Sequence, residues 1–485
     1  MNPIVPVVLS PLAASLLPLA VPAGAARRRA KVTLAACGAL APLAMIGRVD
    51  ALSLSFAALV SMLGFLATAF SVGGAIFEQR VGDIVGDPDE AVTWSRVSVY
   101  YALLGSFWSA MLLVVLADNF SMLWLGISAT TLATAFLVGF AGEAESLEAA
   151  WKYLVLCSVG IAFALFGLMA LAHVTLALGL PPAQALSWSA IAAHPPLGAP
   201  PLARLAIALM IIGFSTKAGL VPMHAWLPDA HSKAPAPVSG LLSGVLVSCA
   251  LYALMRTLGV ATALGAGPLA HSLLLWLGAL STVVAGALML TQTDLKRLLA
   301  YSTVEHAGIV ALALGFGGKL GTLAALAHVL SHAFAKSAAF LAAGLVQRER
   351  RTTSLFQLRG LWGSGTGGRM LLAALSALGG LPPFGIFVSE LLVVIAGALA
   401  GQWVALALGL VGMAFAFAAL SRAAIEIESG HASPEGYHAP TSRAVTSVAA
   451  AALALGGALA AALVPWTGLG GMLQTVAAAL DGVPR

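Results

Sequence analysis

Charge is scarce in this chain. Only 9% of its 485 residues are Asp, Glu, Lys or Arg, against 60% hydrophobic, and the mean hydropathy is +0.98. No water-soluble core hides that much apolar surface, so a soluble globular fold is excluded and an all-α polytopic membrane protein is indicated. Cysteine is scarcer still. Cys37, Cys157 and Cys249 lie in apolar runs with no CxxC or paired spacing, so neither a disulfide framework nor an iron–sulfur site is indicated. No haem, flavin, cluster or metal cofactor is expected, and any electrons must be carried by another subunit. The net charge of +5 is small for this length and fits basic loops on one side of a membrane, with no nucleic-acid partner. Long polar connections are missing too: the stretches at about 74–96, 347–368 and 426–444 are too short to fold alone. The chain needs partners for any catalysis in water.

What is present is a series of apolar runs of membrane-spanning length, at about 3–25, 31–47, 51–73, 97–117, 119–141, 150–178, 202–224, 235–256, 268–290, 298–316, 320–346, 369–397, 402–425 and 445–465. These predict about fourteen helices. Residues 1–25 read as a retained first helix, because Arg27, Arg28 and Arg29 follow the apolar run where a signal peptide has them in front. Placing both termini outside puts most of the 24 Lys and Arg residues in the cytoplasm, among them Lys152, Lys233, Lys296, Arg297 and Arg422. The positive-inside bias favours that orientation.

The stretch from Phe214 to Arg256, FSTKAGLVPMHAWLPDAHSKAPAPVSGLLSGVLVSCALYALMR, sets a lysine, two histidines and several prolines in apolar sequence. Lys217 lies roughly 20 Å along a helix from Arg204, deep in a hydrocarbon core about 30 Å thick. A charge there costs about 3 kcal/mol and ordinarily marks an ion route; the bland alternative is a lysine that snorkels to the interface. Pro222 is expected to break the helix. His224, just beyond, is placed to relay protons between Lys217 and the cytoplasm, whereas Asp229 and His231 read as loop-ordering groups. GGLPPFGIFVSE, from Gly379 to Glu390, is a second proline-interrupted apolar segment with one charge. The two interruptions fall in the seventh and twelfth predicted spans, so five-helix units of opposite topology are expected. The corresponding division is 1–96 for three N-terminal helices, 97–257 and 268–427 for the two repeats, and 428–485 for the last helix. Glu390 is a candidate proton-binding carboxylate, or alternatively a helix cap.

His328, His332 and Lys336, in HVLSHAFAKSAAF, recur every fourth residue and share one helix face. A polar stripe of this kind suits stepwise proton transfer, since histidine titrates near neutral pH. Interhelical packing and an HxxxH zinc site are the competing readings, the latter lacking the glutamate and cysteine such sites use. In TDLKRLLAYSTVEHAGI, Asp294, Lys296 and Arg297 look like a cytoplasmic helix start. Glu305 and His306 fall inside the helix and, being adjacent, are expected to contact different neighbours. Glu148 and Lys152 form a candidate surface pair.

STKAGLVPMHAWLPDAHSKAPAPVSGLLSG, QTDLKRLLAYSTVEHAGI and HVLSHAFAKSAAFLAAG together resemble the antiporter-like membrane subunits of respiratory complex I and its relatives, over about residues 90–430. YSTVEHAGI, EAAWKYLVLCSVGIAFAL and LPPFGIFVSE are most similar to the component F type of hydrogenase-4 and other group 4 membrane-bound hydrogenases. The resemblance implies fourteen helices, two inverted repeats, broken helices 7 and 12, and a central polar axis for protons or sodium ions. Lys217 matches the lysine of broken helix 7 in that family. His328, His332 and Lys336 match the helix joining two half-channels, and Glu390 matches the charged position on helix 12. His306 joins them as a candidate. The sequence departs from the pattern at Ser128, where a glutamate usually stands beside the helix 7 lysine, and at Ser248, where some members carry lysine.

The resulting expectation is a proton-translocating, non-catalytic membrane subunit of a redox-driven complex in a bacterial inner membrane. Its partners would be other membrane subunits, peripheral redox subunits carrying metal centres, and the lipid bilayer. A sodium/proton antiporter or inorganic-carbon uptake subunit is one alternative, and a membrane scaffold that has lost pumping is another.

Overall fold

A computed structural model describes residues 4–16, 49–73, 90–193, 200–361, 365–429 and 445–466, with Gly471 and Gln474. The described residues form helices with no β-strand, and eleven helices are long and apolar enough to cross a membrane. In chain order these and the shorter helices are α1 (Ile4–Leu16), α2 (Ala51–Gly73), α3 (Glu90–Leu116), α4 (Phe120–Val138), α5 (Ala144–Ala177), α6 (Pro201–Ala218) and α7 (Trp226–Lys233). They continue with α8 (Ala236–Ala263), α9 (Gly267–Met289), α10 (Leu295–Phe316), α11 (Gly318–Arg350), α12 (Thr366–Leu378), α13 (Gly385–Leu399), α14 (Trp403–Glu428) and α15 (Val445–Ala460). Each apolar run predicted from 51 onward therefore has its helix or pair of half-helices. The run at 31–47, with Cys37, lies outside the described residues.

The centre of the bundle is α8, whose most apolar window is wholly buried, flanked by α10 and α11, each 94% buried over theirs. A helix hydrophobic all round belongs inside, whereas α5 and α14 leave most of their apolar surface facing outward, as lipid-facing helices do. α8 contains one turn of π-helix at Leu242–Leu246, and there Ser243 Oγ meets Thr303 Oγ1 of α10 at 2.6 Å.

Two helices are interrupted in the same way. α6 ends at Ala218, Gly219 takes a left-handed conformation (φ +75°), and Leu220 N–H bonds the Ser215 carbonyl. α12 ends at Leu378, Gly380 takes φ +67°, and Leu381 N–H bonds the Ser376 carbonyl. Both are glycine-terminated helix ends followed by Leu and then proline within two residues. The first break thus starts at Gly219, three residues before the proline expected to cause it, because the glycine already stops the helix. Backbone groups released there are satisfied by protein: Trp226 Nε1–H bonds the Thr216 carbonyl, and Val221 N–H bonds Ser281 Oγ. The two charges do not occupy equivalent places. Lys217 precedes its left-handed glycine by two residues, while Glu390 follows its own by ten, as Asp229 does at the first break.

At one end of the bundle, ion pairs tie α5, α7 and α10 together. Arg297 reaches Asp229 at 2.9 Å, Lys152 reaches Glu148 at 2.6 Å and Asp229 at 3.6 Å, and Lys233 pairs with Glu145. Glu148 and Lys152 are the exposed pair expected. Asp229, expected to order a loop, instead lies in α7 and bridges two helices. Asp294 caps α10 by accepting from Arg297 N–H, the helix start anticipated. At the opposite end Arg256, 8% exposed, holds α8 to the start of α2 through Asp50 at 2.6 Å and Ser53 at 2.9 Å, and stacks on Trp188 at 4.7 Å.

Candidate functional site

Lys217, 1% exposed in the last turn of α6, does not snorkel. Its Nζ donates to Thr131 Oγ1 of α4 at 2.8 Å and to Tyr153 OH of α5 at 2.6 Å, and lies 4.7 Å from the Tyr153 ring centre. Tyr153 passes its own hydroxyl hydrogen to Thr134 Oγ1 at 2.5 Å, and Thr134 donates to the Thr130 carbonyl. No carboxylate among the described residues touches the amine. Ser128, expected beside it, is half-buried and turns its hydroxyl to its own helix at the Trp124 carbonyl. The hydroxyls of Thr131, one turn further along α4, and of Tyr153 hold the lysine. Ser248 likewise bonds back to the Gly244 carbonyl of its own helix.

Between Lys217 and the histidine stripe stands a residue read from the sequence as a loop group. His231, fully buried in α7, donates Nδ1–H to the Leu227 carbonyl at 2.8 Å and leaves Nε2 without a partner. Its ring lies 6.1 Å from Trp226 and 5.8 Å from Phe340 of α11. Trp226 in turn packs on Tyr153 at 5.0 Å. Protein atoms therefore join the lysine to α11 through aromatic rings grouped about His231. His224, by contrast, is half-buried in the turn before α7, and its Nδ1 makes no hydrogen bond.

The predicted stripe on α11 is buried along its length, with His328, His332 and Lys336 no more than 1% exposed. Lys336 Nζ donates to the Leu299 carbonyl at 2.9 Å and to Ser302 Oγ at 2.7 Å, both on α10. His306 of α10 meets His328 and His332 with ring centres 5.2 Å away in each case. The hydrogen-bond direction follows from the far end. Ser389 gives its single hydroxyl hydrogen to the Ile386 carbonyl at 2.9 Å, so it accepts from His328 Nδ1–H at 2.9 Å. A neutral His328 then has its lone pair on Nε2 and accepts from His306 Nδ1–H at 3.1 Å. The run His306, His328, Ser389 is polarised one way and ends beside Glu390.

Glu390 is in the second turn of α13, whose N-cap is Phe384, so it does not cap that helix. It lines a cavity of about 290 Å³ with Glu305 of α10, the end of α12, and α14. Glu305 is 1% exposed, and its Oε2 lies 3.5 Å from His306 Nδ1 without a hydrogen bond. His306 turns to α11 and Glu305 to the cavity, so these adjacent residues contact different neighbours, as expected.

A family model described as NADH:quinone oxidoreductase/Mrp antiporter, transmembrane, matches residues 117–416, which include the lysine, histidine and glutamate positions above. The chain belongs to this family. The hydrogenase-4 component F homolog of Methylacidiphilum infernorum is 36% identical over 403 residues, covering 81% of this chain and 80% of that protein. A chain of respiratory complex I from Thermus thermophilus superposes with a TM-score of 0.74 at 26% identity, covering 96% of this chain and 98% of its own. A chain of the archaeal membrane-bound sulfane sulfur reductase shares the fold with a TM-score of 0.81 at 22% identity, covering 99% and 97%. Within the NADH:quinone oxidoreductase/Mrp antiporter family, then, this is a multi-pass member whose Lys217 is held by hydroxyls.

Two site residues escaped the sequence reading, and two more were named in it without a site role. Thr131 and Tyr153 carry no charge to mark them, and His231 was hidden by its proline-flanked surroundings. Glu305 did show a signal, a carboxylate inside an otherwise apolar span.

Proposed function

We propose that this chain is the proton-translocating membrane subunit of a redox-driven, multi-subunit complex in a bacterial inner membrane, with both termini outside. The observation that carries the reading is the polar series from Lys217 past His231 to Lys336, His332, His306 and His328, all buried, and on to the half-buried Glu390, crossing the centre of an apolar bundle. Buried ionisable groups at membrane depth are costly and are retained where ions pass. A proton added to His306 Nε2 releases Nδ1–H to His328 Nε2, which releases its own Nδ1–H to Ser389 Oγ, whose hydroxyl hydrogen must turn from the Ile386 carbonyl to be passed on; the polarised hydrogen bonds supply the direction. Lys217 and Lys336 serve as the two amines that take up and release charge, and His231 links them. His224, half-buried in the turn between Lys217 and α7, is the entry group on this reading. Residues 97–257 and 268–427 are read as two inverted units, each with one glycine-terminated break, supported by the matching Gly-Leu-x-Pro turns.

Family relatives with electron-carrying names support a redox source outside this chain. Purification of the intact complex through this subunit, mass spectrometry of its partners and reconstitution into proteoliposomes test the proposal. Redox turnover is expected to acidify or alkalinise the lumen in proportion to electrons passed. Turnover with no ion movement in tight vesicles leaves a scaffold role in its place.

A further inference from the structure

The end of the bundle that carries the α5–α7–α10 ion pairs also holds a cleft of about 490 Å³, within the size range of small-ligand sites. Three helix ends meet at it: the approach to α8 at 234–236, the start of α10 at 294–297 and the end of α11 at 347–351. Lys233, Lys296, Arg297, Arg348 and Arg351 line it against two acids, Glu143 and Asp294. Two of these bases pair with carboxylates outside the lining, Lys233 with Glu145 and Arg297 with Asp229. Asp294 is engaged through both oxygens, since Oδ1 accepts from Arg297 N–H at 2.9 Å and Oδ2 from Thr353 Oγ1.

Lys296 is the second residue of α10 and only 3% exposed. A helix start is the positive end of its dipole and favours anions, so a buried ammonium there is electrostatically adverse. Its Nζ donates to the Ala234 carbonyl at 2.6 Å, which holds it beside the start of α8, a second positive end. The basic bias of one membrane face accounts for exposed lysines and arginines, not for a lysine buried at this place. Arg351 carries an independent mark. Among the described residues it is the one non-glycine with positive φ, +54°, at the position after α11 where glycine is usual, and its N–H bonds the Gln347 carbonyl. We propose that the cleft holds a phosphate group, of a phospholipid headgroup or of a free phosphate, between Lys296 and the guanidinium groups of Arg348 and Arg351. Such an oxyanion meets the ammonium as a point charge and the guanidinium through paired N–H donors, while the two helix starts add dipoles of the matching sign. The cleft is lined by no aromatic side chain among the described residues, so nothing there stacks a nucleobase and the ligand class is phosphate, not nucleotide. A bound phosphate fastens the start of α10 to the end of α11, the two helices that carry the histidine run. The site stands on this geometry and does not rest on the translocation reading.

The test is native mass spectrometry of the purified intact complex, which counts retained phospholipid, together with equilibrium binding of radiolabelled inorganic pyrophosphate to the same complex after delipidation. Arg351→Gly removes one guanidinium and suits the positive φ, so the fold is expected to persist. Pyrophosphate is expected to bind saturably, once per copy of this chain, and roughly tenfold or more weakly in Arg351→Gly and in Lys296→Met. Lys319→Met, at the exposed start of α11 and the opposite end of that helix, is expected to leave binding unchanged. A phospholipid retained at one per copy, displaced by pyrophosphate and lost in Arg351→Gly identifies a headgroup as the source. Pyrophosphate binding with no phospholipid that depends on Arg351 identifies free phosphate. Should Lys296→Met lower complex content, Arg351→Gly decides alone. The proposal is overturned by binding equal to that of the unmodified complex in Arg351→Gly at normal complex content. It is equally overturned if pyrophosphate does not bind saturably and no phospholipid is retained through Arg351.

Discussion

Ser389 anchors the hydrogen-bond direction of the histidine run, so Ser389→Ala is a sharp probe of it. Both Ser389 and His328 are fully buried, and the substitution removes the acceptor 2.9 Å from His328 Nδ1. If the ring keeps its hydrogen on Nδ1, a buried donor is orphaned, at a cost of about 1–3 kcal/mol. If the hydrogen moves to Nε2, it points at His306 Nδ1–H across 3.1 Å, and two donors face each other. Either state must be undone before a proton passes, and a barrier raised by about 1–3 kcal/mol slows the step roughly 5- to 150-fold. The assay is ion movement per electron in proteoliposomes of the purified complex, with complex content checked by gel and redox turnover measured separately. Ser389→Thr, which keeps the hydroxyl, is expected to retain most of the flux. Unchanged flux per electron in Ser389→Ala would show that the histidine run is packing and not a relay.

Other consequences follow from neighbouring contacts. His332→Ala is expected to impair translocation with assembly intact, but less than His328→Ala, because His332 stacks at 6.5 Å on His328 while His328 carries the hydrogen bonds of the run; equal flux loss in the two variants would contradict this. Gly380→Ala forces a side chain into φ +67° and against Glu390, so the purified complex should lose about 1–2 kcal/mol of stability and melt earlier. Arg256→Leu strands Asp50 and opens the joint between α8 and α2, which should lower the melting temperature while leaving flux per electron in surviving complex near normal. The pairs among Glu148, Lys152, Asp229 and Arg297 are largely exposed, so removing Glu148 should have little effect on melting and less still at high salt.

Much of the architecture was legible in the chain itself, for identifiable reasons. Apolar runs of about twenty residues mark spans because the bilayer has a fixed thickness. The every-fourth spacing of His328, His332 and Lys336 places them on one face whatever surrounds them. The two breaks were visible through proline, although glycine begins the first; a left-handed glycine two or three residues ahead of the proline was the better marker. The partners of Lys217 were not legible, because Thr131 and Tyr153 come from helices 86 and 64 residues earlier and only the packing of α4 and α5 on α6 brings them to the amine. Ser128 misled for the same reason: its position in the sequence pattern says where a glutamate would start, not which hydroxyl reaches the lysine when none is there. His231 read as a loop residue until α7 resumed the helix and turned it inward.

The account stands most directly on Lys217, the amine held at the first break, and Lys217→Met keeps much of its volume while removing its charge. Ion movement per electron, measured in proteoliposomes containing the purified complex at normal content, is predicted to fall sharply while electron transfer continues. Flux per electron equal to that of the unmodified complex would contradict the claim that the buried polar series is a working ion route.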